Sequence, residues 1–115
     1  MRAIVQHAYG SPIDVLQLAE VDRPSVGDGE ALVRVVASSA NPWDWHFIRG
    51  EPVLLRAAGI GGIRKPRFLI PGGDLAGTIE QVGRGVTGFG AGEAVYGFGH
   101  GAFAEYVSVP HGGLA

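Results

Sequence analysis

Two short segments of this chain concentrate side chains that can take part in chemistry. Residues 41–46 place an amide, two indoles, a carboxylate and an imidazole within six positions, as Asn41, Trp43, Asp44, Trp45 and His46. Residues 71–77 place another carboxylate, Asp74, among glycines that allow the backbone to approach a ligand closely. A small-molecule site combines apolar walls with a few placed polar groups. The two segments are therefore predicted to line such a site.

The first segment is expected to lie on a short helix. Asn is a favoured N-cap residue and Pro is favoured at the first helical position, so the Asn41-Pro42 pair predicts a helix start. Gly50 is expected to end the helix. Asp44 and Ile48 are four residues apart and share one face. Asp44 also lies in the first turn, where a negative charge suits the helix dipole.

Each of these residues also has a purely structural interpretation. Asn41 can cap the helix without contacting a ligand, and Asp44 can serve the helix dipole alone. Trp43 and Trp45 belong to a residue type that more often packs in a core or an interface than forms a substrate wall. The residues by themselves leave both interpretations open.

The rest of the chain predicts short β-strands joined by turns. Alternating or valine-rich segments favour strands, and 20 glycines in 115 residues indicate many tight turns. Residues 53–58 predict a helical turn, and residues 64–67 form a basic cluster expected in a solvated loop. The predicted strands are residues 2–6, 15–21 (paired with the first), 31–37 (buried), 75–82 (interrupted at Gly77), 94–97 and 101–110, with a short extended piece at 86–89.

Bulk composition excludes several classes of function. A chain of 115 residues is expected to form one domain, residues 1–115. The net charge of −2 offers no electrostatic attraction to nucleic acid or to an anionic membrane. Cysteine is absent, which excludes disulfides and thiolate zinc sites. The chain has neither an apolar run of ~20 residues nor the core of a signal peptide, so a cytoplasmic enzyme or binding domain is expected.

Four motifs follow one another along the chain in a fixed order. They are Asn41-Pro42-x-Asp44-Trp45, Pro71-Gly-Gly-Asp74-x-Ala-Gly77 with Val82-Gly83, Gly92-Glu93-Ala94-Val95-Tyr96-Gly97, and Gly101-x-Phe-Ala-Glu105-Tyr106. Together they resemble the N-terminal, GroES-like catalytic domain of medium-chain dehydrogenases/reductases, and within it the zinc-free quinone and enone reductases and the reticulon-interacting-protein-like branch. The resemblance covers essentially the whole chain and implies a mainly β, partly open barrel with one or two short helices.

The resemblance also implies that no zinc is bound. Zinc-dependent relatives place a Cys and a His at two ligand positions, which here hold Asn41 and Gly73. His46 with Asp44 or Asp74 offers only two or three mixed ligands and makes a poor metal site. We therefore predict no metal ligand in this chain.

In the zinc-free relatives a hydride passes from a nicotinamide to an enone or a quinone, and a proton follows. By resemblance, Asn41 is expected to hydrogen-bond the nicotinamide ribose or carboxamide, and Asp44 to hold the polar network beside it. His46 falls where several relatives carry a tyrosine and is expected to donate or relay the proton near neutral pH. Trp43 and Trp45 are the candidate substrate walls.

No strand-turn-helix dinucleotide fingerprint occurs in the sequence, because the Gly-x-Gly-x-x-Gly spacing at Gly83, Gly85 and Gly88 leads into further glycines rather than into a helical pattern. In the family, the nucleotide-binding Rossmann domain follows the catalytic domain. We therefore expect NADPH, or NADH, to be bound mainly by a domain that these 115 residues lack, and we expect the isolated chain to be inactive. The full-length form is expected to act on a small molecule and to form a homodimer. The alternative is a non-catalytic GroES-like binding module.

Overall fold

The computed structural model of this chain describes residues 1–50 and 69–115. The helical turn predicted at 53–58 and the basic cluster at 64–67 lie outside the described residues. Within the two described ranges the elements follow in the order β1 (Arg2–Gln6), α1 (Pro12–Val15), β2 (Leu16–Glu20), β3 (Glu30–Ser38), α2 (Pro42–Arg49), β4 (Asp74–Val82), β5 (Ala94–Phe98), β6 (Tyr106–Pro110) and a 3₁₀ turn (His111–Gly113).

The strands form two antiparallel sheets. The hairpin β1–β2 is one, and the other has the strand order β5-β4-β3-β6. A bridge between Ala3 and Ala104, with a 2.9 Å hydrogen bond from Ile4 N to Phe103 O, joins the hairpin to the segment that precedes β6. Every strand pair in the described residues is antiparallel, whereas a Rossmann sheet is mostly parallel.

The two edge strands of the four-stranded sheet, β5 and β6, do not pair with each other, and the C-terminal segment links them. After β6, on one edge, the chain turns and reaches β5 on the other edge. There Tyr96 N donates to Ala115 O at 3.1 Å, and Ala115 N donates to Tyr96 O at 2.8 Å. Leu114 is buried with the core beneath this contact. The result is the partly open, mainly β barrel that the sequence predicted.

The core lies inside this barrel. Its most completely buried large side chains are Val33, Ile79 and Val109, from three neighbouring strands. The prediction that residues 31–37 are buried was only half right, because Val36 is 73% exposed. Pairing with β6 ends at Arg34, and a β-bulge follows Val35, so the second half of β3 leaves the core.

Several local boundaries differ from the prediction. The second strand starts at Leu16 rather than at residue 15, because residues 12–15 form the helical turn α1, begun by a proline at its first position. Residues 86–89, predicted as a short extended piece, lie outside the strands, and Gly85 and Gly88 there adopt positive φ angles of 84° and 89°. The last strand starts at Tyr106, because Gly101 turns the chain with a φ of 95°.

The longest helix in the described ranges is the eight-residue α2. No helix among those residues is long and apolar enough to span a membrane.

Gly77 does not interrupt β4, which runs unbroken through it. A Cβ atom at this position would collide with the carbonyl oxygen of Arg34 on β3 and would lie 2.9 Å from Val33 Cγ1. The absence of a side chain therefore lets the two central strands approach each other.

Gly77→Ala is expected to lower the free energy of unfolding by about 1–3 kcal/mol, because the backbone of β3 must shift. The measurement is the urea midpoint of the variant. Gly90→Ala is the matched control, since a Cβ atom there meets nothing within 4 Å. Equal midpoints for the two variants would contradict this account of the β3–β4 contact.

Candidate functional site

Helix α2 begins and ends as the sequence predicted. Asn41 is extended, with φ −119° and ψ 164°, and Pro42 occupies the first turn. Gly50 ends the helix in the left-handed region with a φ of 67°, and its N–H donates to His46 O at 2.8 Å. These two ends fix which residues face the barrel.

The inner face of α2 carries Asp44 and Ile48, which are both buried, as their spacing predicted. Gln6 of β1 is buried beside this face and donates from Nε2 to Ile48 O at 2.6 Å and to Ala8 O at 3.0 Å. Gly10 N donates to the same Ile48 oxygen at 3.2 Å. The helix is therefore tied to β1 near its C-terminal end.

Asp44 stabilises the other end of the helix. It is only 7% exposed, and its Oδ2 accepts a 2.8 Å hydrogen bond from the backbone N–H of Asn41. The two residues have the reciprocal arrangement of a capping box. The structural interpretation of Asp44 is thus realised, because this buried carboxylate serves the first turn of α2.

The Asn41 side chain points to the beginning of β4. Its Nδ2 donates to Asp74 Oδ2 at 2.5 Å and lies 3.3 Å from Ser39 Oγ. Ser39 Oγ in turn donates to Asp74 Oδ2 at 3.1 Å, and Ser38 Oγ donates to the backbone carbonyl of Asp74 at 2.5 Å. We call the contact between the Asn41 and Asp74 side chains the Asn41–Asp74 pair. The pair joins the start of α2 to the start of β4, and the two serines join the end of β3 to the same aspartate.

An aromatic ring lies directly beside this pair. Phe98 on β5 is the cross-strand partner of Asp74, so the two side chains share one face of the sheet. A Cβ atom at Gly73 would lie 2.5 Å from the Phe98 ring, which is 52% exposed. Tyr96 follows on the same face and is also exposed. Apolar surface therefore adjoins the polar pair.

The two tryptophans lie on the exposed side of α2. Trp43 is 57% exposed and Trp45 is 44% exposed, so neither is a core residue. Both rings meet the half-buried His46 edge-on, with centroid distances of 6.5 Å and 4.9 Å. The Arg49 guanidinium lies 4.9 Å from the centre of the Trp45 ring, in a cation–π contact. The structure thus groups the indoles around the imidazole.

Asn41 and Gly73 stand at the two positions where the resemblance places zinc ligands in zinc-dependent relatives. Asn41 presents an amide nitrogen that donates to a carboxylate, and Gly73 has no side chain and abuts the Phe98 ring. In the described part of the chain, no three His, Asp or Glu side chains come close enough together to hold a metal ion.

Three residues near the pair were not identified from the sequence. Ser38 and Ser39 follow a valine-rich strand and directly precede the Asn-Pro helix start, and that position is the signal that could have found them. Phe98 alternates with Tyr96 at the end of a strand, but only the register with β4 places it beside Asp74.

Asp44→Ala is expected to lower the free energy of unfolding by about 1–2 kcal/mol, since it leaves the Asn41 N–H without its acceptor. Urea denaturation measures the change, and faster amide exchange in the first turn of α2 should accompany it. Asp22→Ala, at an exposed aspartate outside the helices, is the control and should change stability by less than about 0.5 kcal/mol. A loss no larger than that of the control would contradict the role assigned to Asp44.

Comparison with known proteins identifies the family. The alcohol dehydrogenase GroES-like domain model matches residues 27–115. A chloroplastic quinone-oxidoreductase of Triphysaria versicolor is 35% identical over 113 residues, which covers 92% of this chain and 31% of the relative. A trans-enoyl reductase of Aspergillus sclerotiorum is 39% identical over 120 residues, which covers 93% of this chain and 28% of the relative.

Solved structures agree with the sequence relatives. A mycobacterial protein in complex with NADPH superposes with a TM-score of 0.81 at 30% identity, covering 100% of this chain and 33% of that protein. The chain thus spans about a third of the length of the curated relatives it matches. By its family match and its relatives, the chain belongs to the alcohol dehydrogenase GroES-like domain family of the medium-chain dehydrogenase/reductase superfamily.

Proposed function

We propose that this chain is the catalytic-domain part of a zinc-independent, NAD(P)H-dependent oxidoreductase that reduces quinones, enones or related carbonyl compounds. Its relatives include a quinone-oxidoreductase and a trans-enoyl reductase, and a structural relative was solved with NADPH. These names support the reaction class. The proposal assigns binding of the dinucleotide mainly to a part of the protein outside these residues.

The Asn41–Asp74 pair is the observation that carries the zinc-independent form of the proposal. A zinc site needs a deprotonated thiolate, an imidazole or a carboxylate at each ligand position. Here the amide nitrogen of Asn41 is turned toward Asp74, and the Phe98 ring fills the space beside Gly73 where a ligand side chain would start. Neither position therefore offers a zinc donor.

Without a metal, the protein must orient the reactants, supply a proton and exclude water. Bound NADPH supplies the hydride. In the proposal Asn41 holds the nicotinamide nucleoside through its ribose or carboxamide, at the start of a helix whose first turn Asp44 stabilises.

The remaining roles belong to the aromatic side chains. His46, which lies against both indoles, delivers the proton to the oxygen on which charge develops. The exposed rings of Trp43, Trp45 and Phe98 provide apolar surface for the substrate. Hydride and proton together complete the two-electron reduction of the carbonyl compound.

The first test is turnover. The full-length protein is expected to oxidise NADPH in the presence of a benzoquinone or an α,β-unsaturated ketone, and residues 1–115 alone are expected to show no turnover. Loss of NADPH absorbance is the measurement. A full-length protein that neither binds nor oxidises NADPH or NADH would contradict the proposal and would favour a non-catalytic binding module. Turnover by the 115-residue chain alone would contradict the assignment of the dinucleotide to another part of the protein.

The second test is metal removal. Because neither zinc-ligand position holds a zinc donor, prolonged treatment of the full-length protein with a strong chelator should change kcat by less than about twofold. Added Zn²⁺ should not raise it. A loss of activity on chelation that Zn²⁺ restores would contradict zinc independence and would leave the reductase assignment intact.

A further inference from the structure

The direction of the Asn41 amide is determined by its neighbour. A carboxylate only accepts hydrogen bonds, so the –NH₂ group of Asn41 must face Asp74, as the 2.5 Å Nδ2–Oδ2 contact shows. The amide oxygen and nitrogen are bonded to the same carbon and point to different sides of it, so the oxygen of Asn41 is turned away from Asp74. This oxygen has two lone pairs: in the capping box one faces the Asp44 backbone N–H, and the other remains for a donor of a ligand.

Asp74 is itself held in place from three sides. Ser39 Oγ donates to the same carboxylate oxygen, and Ser38 Oγ donates to the Asp74 backbone carbonyl. The Asp74 backbone is paired with Phe98 of β5. A carboxylate fixed in this way beside an aromatic ring can hold the amide that it binds in one orientation.

We propose that Asp74 is a positioning residue, which fixes the Asn41 amide so that its oxygen faces the bound coenzyme. Asn41 then recognises a hydrogen-bond donor of the nicotinamide nucleoside, either a ribose hydroxyl or the carboxamide –NH₂. This inference rests on the proposed function, and it replaces an unspecified contact by Asn41 with a directional one. A reversed amide would turn its –NH₂ group toward the donor of the coenzyme, so two donors would face each other and the hydrogen bond to the coenzyme would be lost.

The test compares NADPH binding by variants of the full-length protein. Asp74→Asn has the same size but can present either oxygen or –NH₂ to Asn41, so the amide direction is no longer fixed. The Kd for NADPH is expected to rise about tenfold, as for one lost hydrogen bond. The KM for the quinone should change less than about twofold. Glu93→Gln makes the same carboxylate-to-amide change at an exposed turn and should leave the Kd unchanged.

A double variant separates positioning from general damage. In Asn41→Asp/Asp74→Asn the amide now at position 74 donates to the carboxylate now at position 41, so an acceptor again faces the coenzyme. This variant should recover most of the NADPH affinity that Asn41→Asp alone loses by placing two carboxylates together. It also provides the comparison if Asp74→Asn fails to fold. A double variant no better than Asn41→Asp would overturn the proposal.

The two possible donors are distinguished with a coenzyme analogue in which an acetyl group replaces the carboxamide. Weaker binding of this analogue by the wild-type protein, together with loss of the Asp74→Asn effect, assigns the carboxamide. Equal binding with the Asp74→Asn effect retained assigns a ribose hydroxyl. Both results support the directional contact.

The outcomes also separate this inference from the proposed function. A wild-type protein that does not bind NADPH or NADH overturns the proposed function. Normal wild-type binding with an unchanged Kd in folded Asp74→Asn overturns the positioning role alone. Nuclear magnetic resonance adds a coenzyme-free readout, because the Asn41 side-chain amide signal should move in Asp74→Asn and stay fixed in Glu93→Gln.

Discussion

The site depends on one hydrogen bond, from the Asn41 amide to the Asp74 carboxylate. It connects the first turn of α2 to the first residue of β4, two elements separated in the chain by more than twenty residues. Asp44 fixes the same helix end through the Asn41 backbone. One asparagine is thus held through its backbone by the helix and through its side chain by the sheet. This double attachment is what a preorganised binding group requires.

The sheet supplies the geometry that makes this bond possible. Gly77 lets β3 and β4 approach closely, and the β-bulge after Val35 turns the end of β3 outward. The serines after the bulge then meet Asp74. The same register places Phe98 beside Asp74, so polar and apolar surfaces adjoin at one end of the strands. The contacts that pack the barrel therefore also position the residues of the site.

Much of the fold could be predicted from local patterns. Asn41-Pro42 and Gly50 marked both ends of α2, and alternation located β1 and most of β4. The failures have physical reasons. A glycine at positive φ, Gly101, removed the strand expected at 101–105, and loss of the β6 neighbour exposed Val36. These depend on backbone angles and strand register, which residue types do not determine.

The candidate site was predicted less completely than the fold. Its residues on α2 could be identified because they are contiguous in sequence. The Asn41–Asp74 pair could not, since it depends on how β3 meets β4, and Phe98 enters only through pairing with Asp74. The most direct measurement is a crystal structure of the full-length protein with NADPH bound. We expect a ribose or carboxamide donor within hydrogen-bonding distance of Asn41 Oδ1, with Nδ2 still on Asp74. A nicotinamide bound away from Asn41, or a zinc ion beside it, would contradict the account.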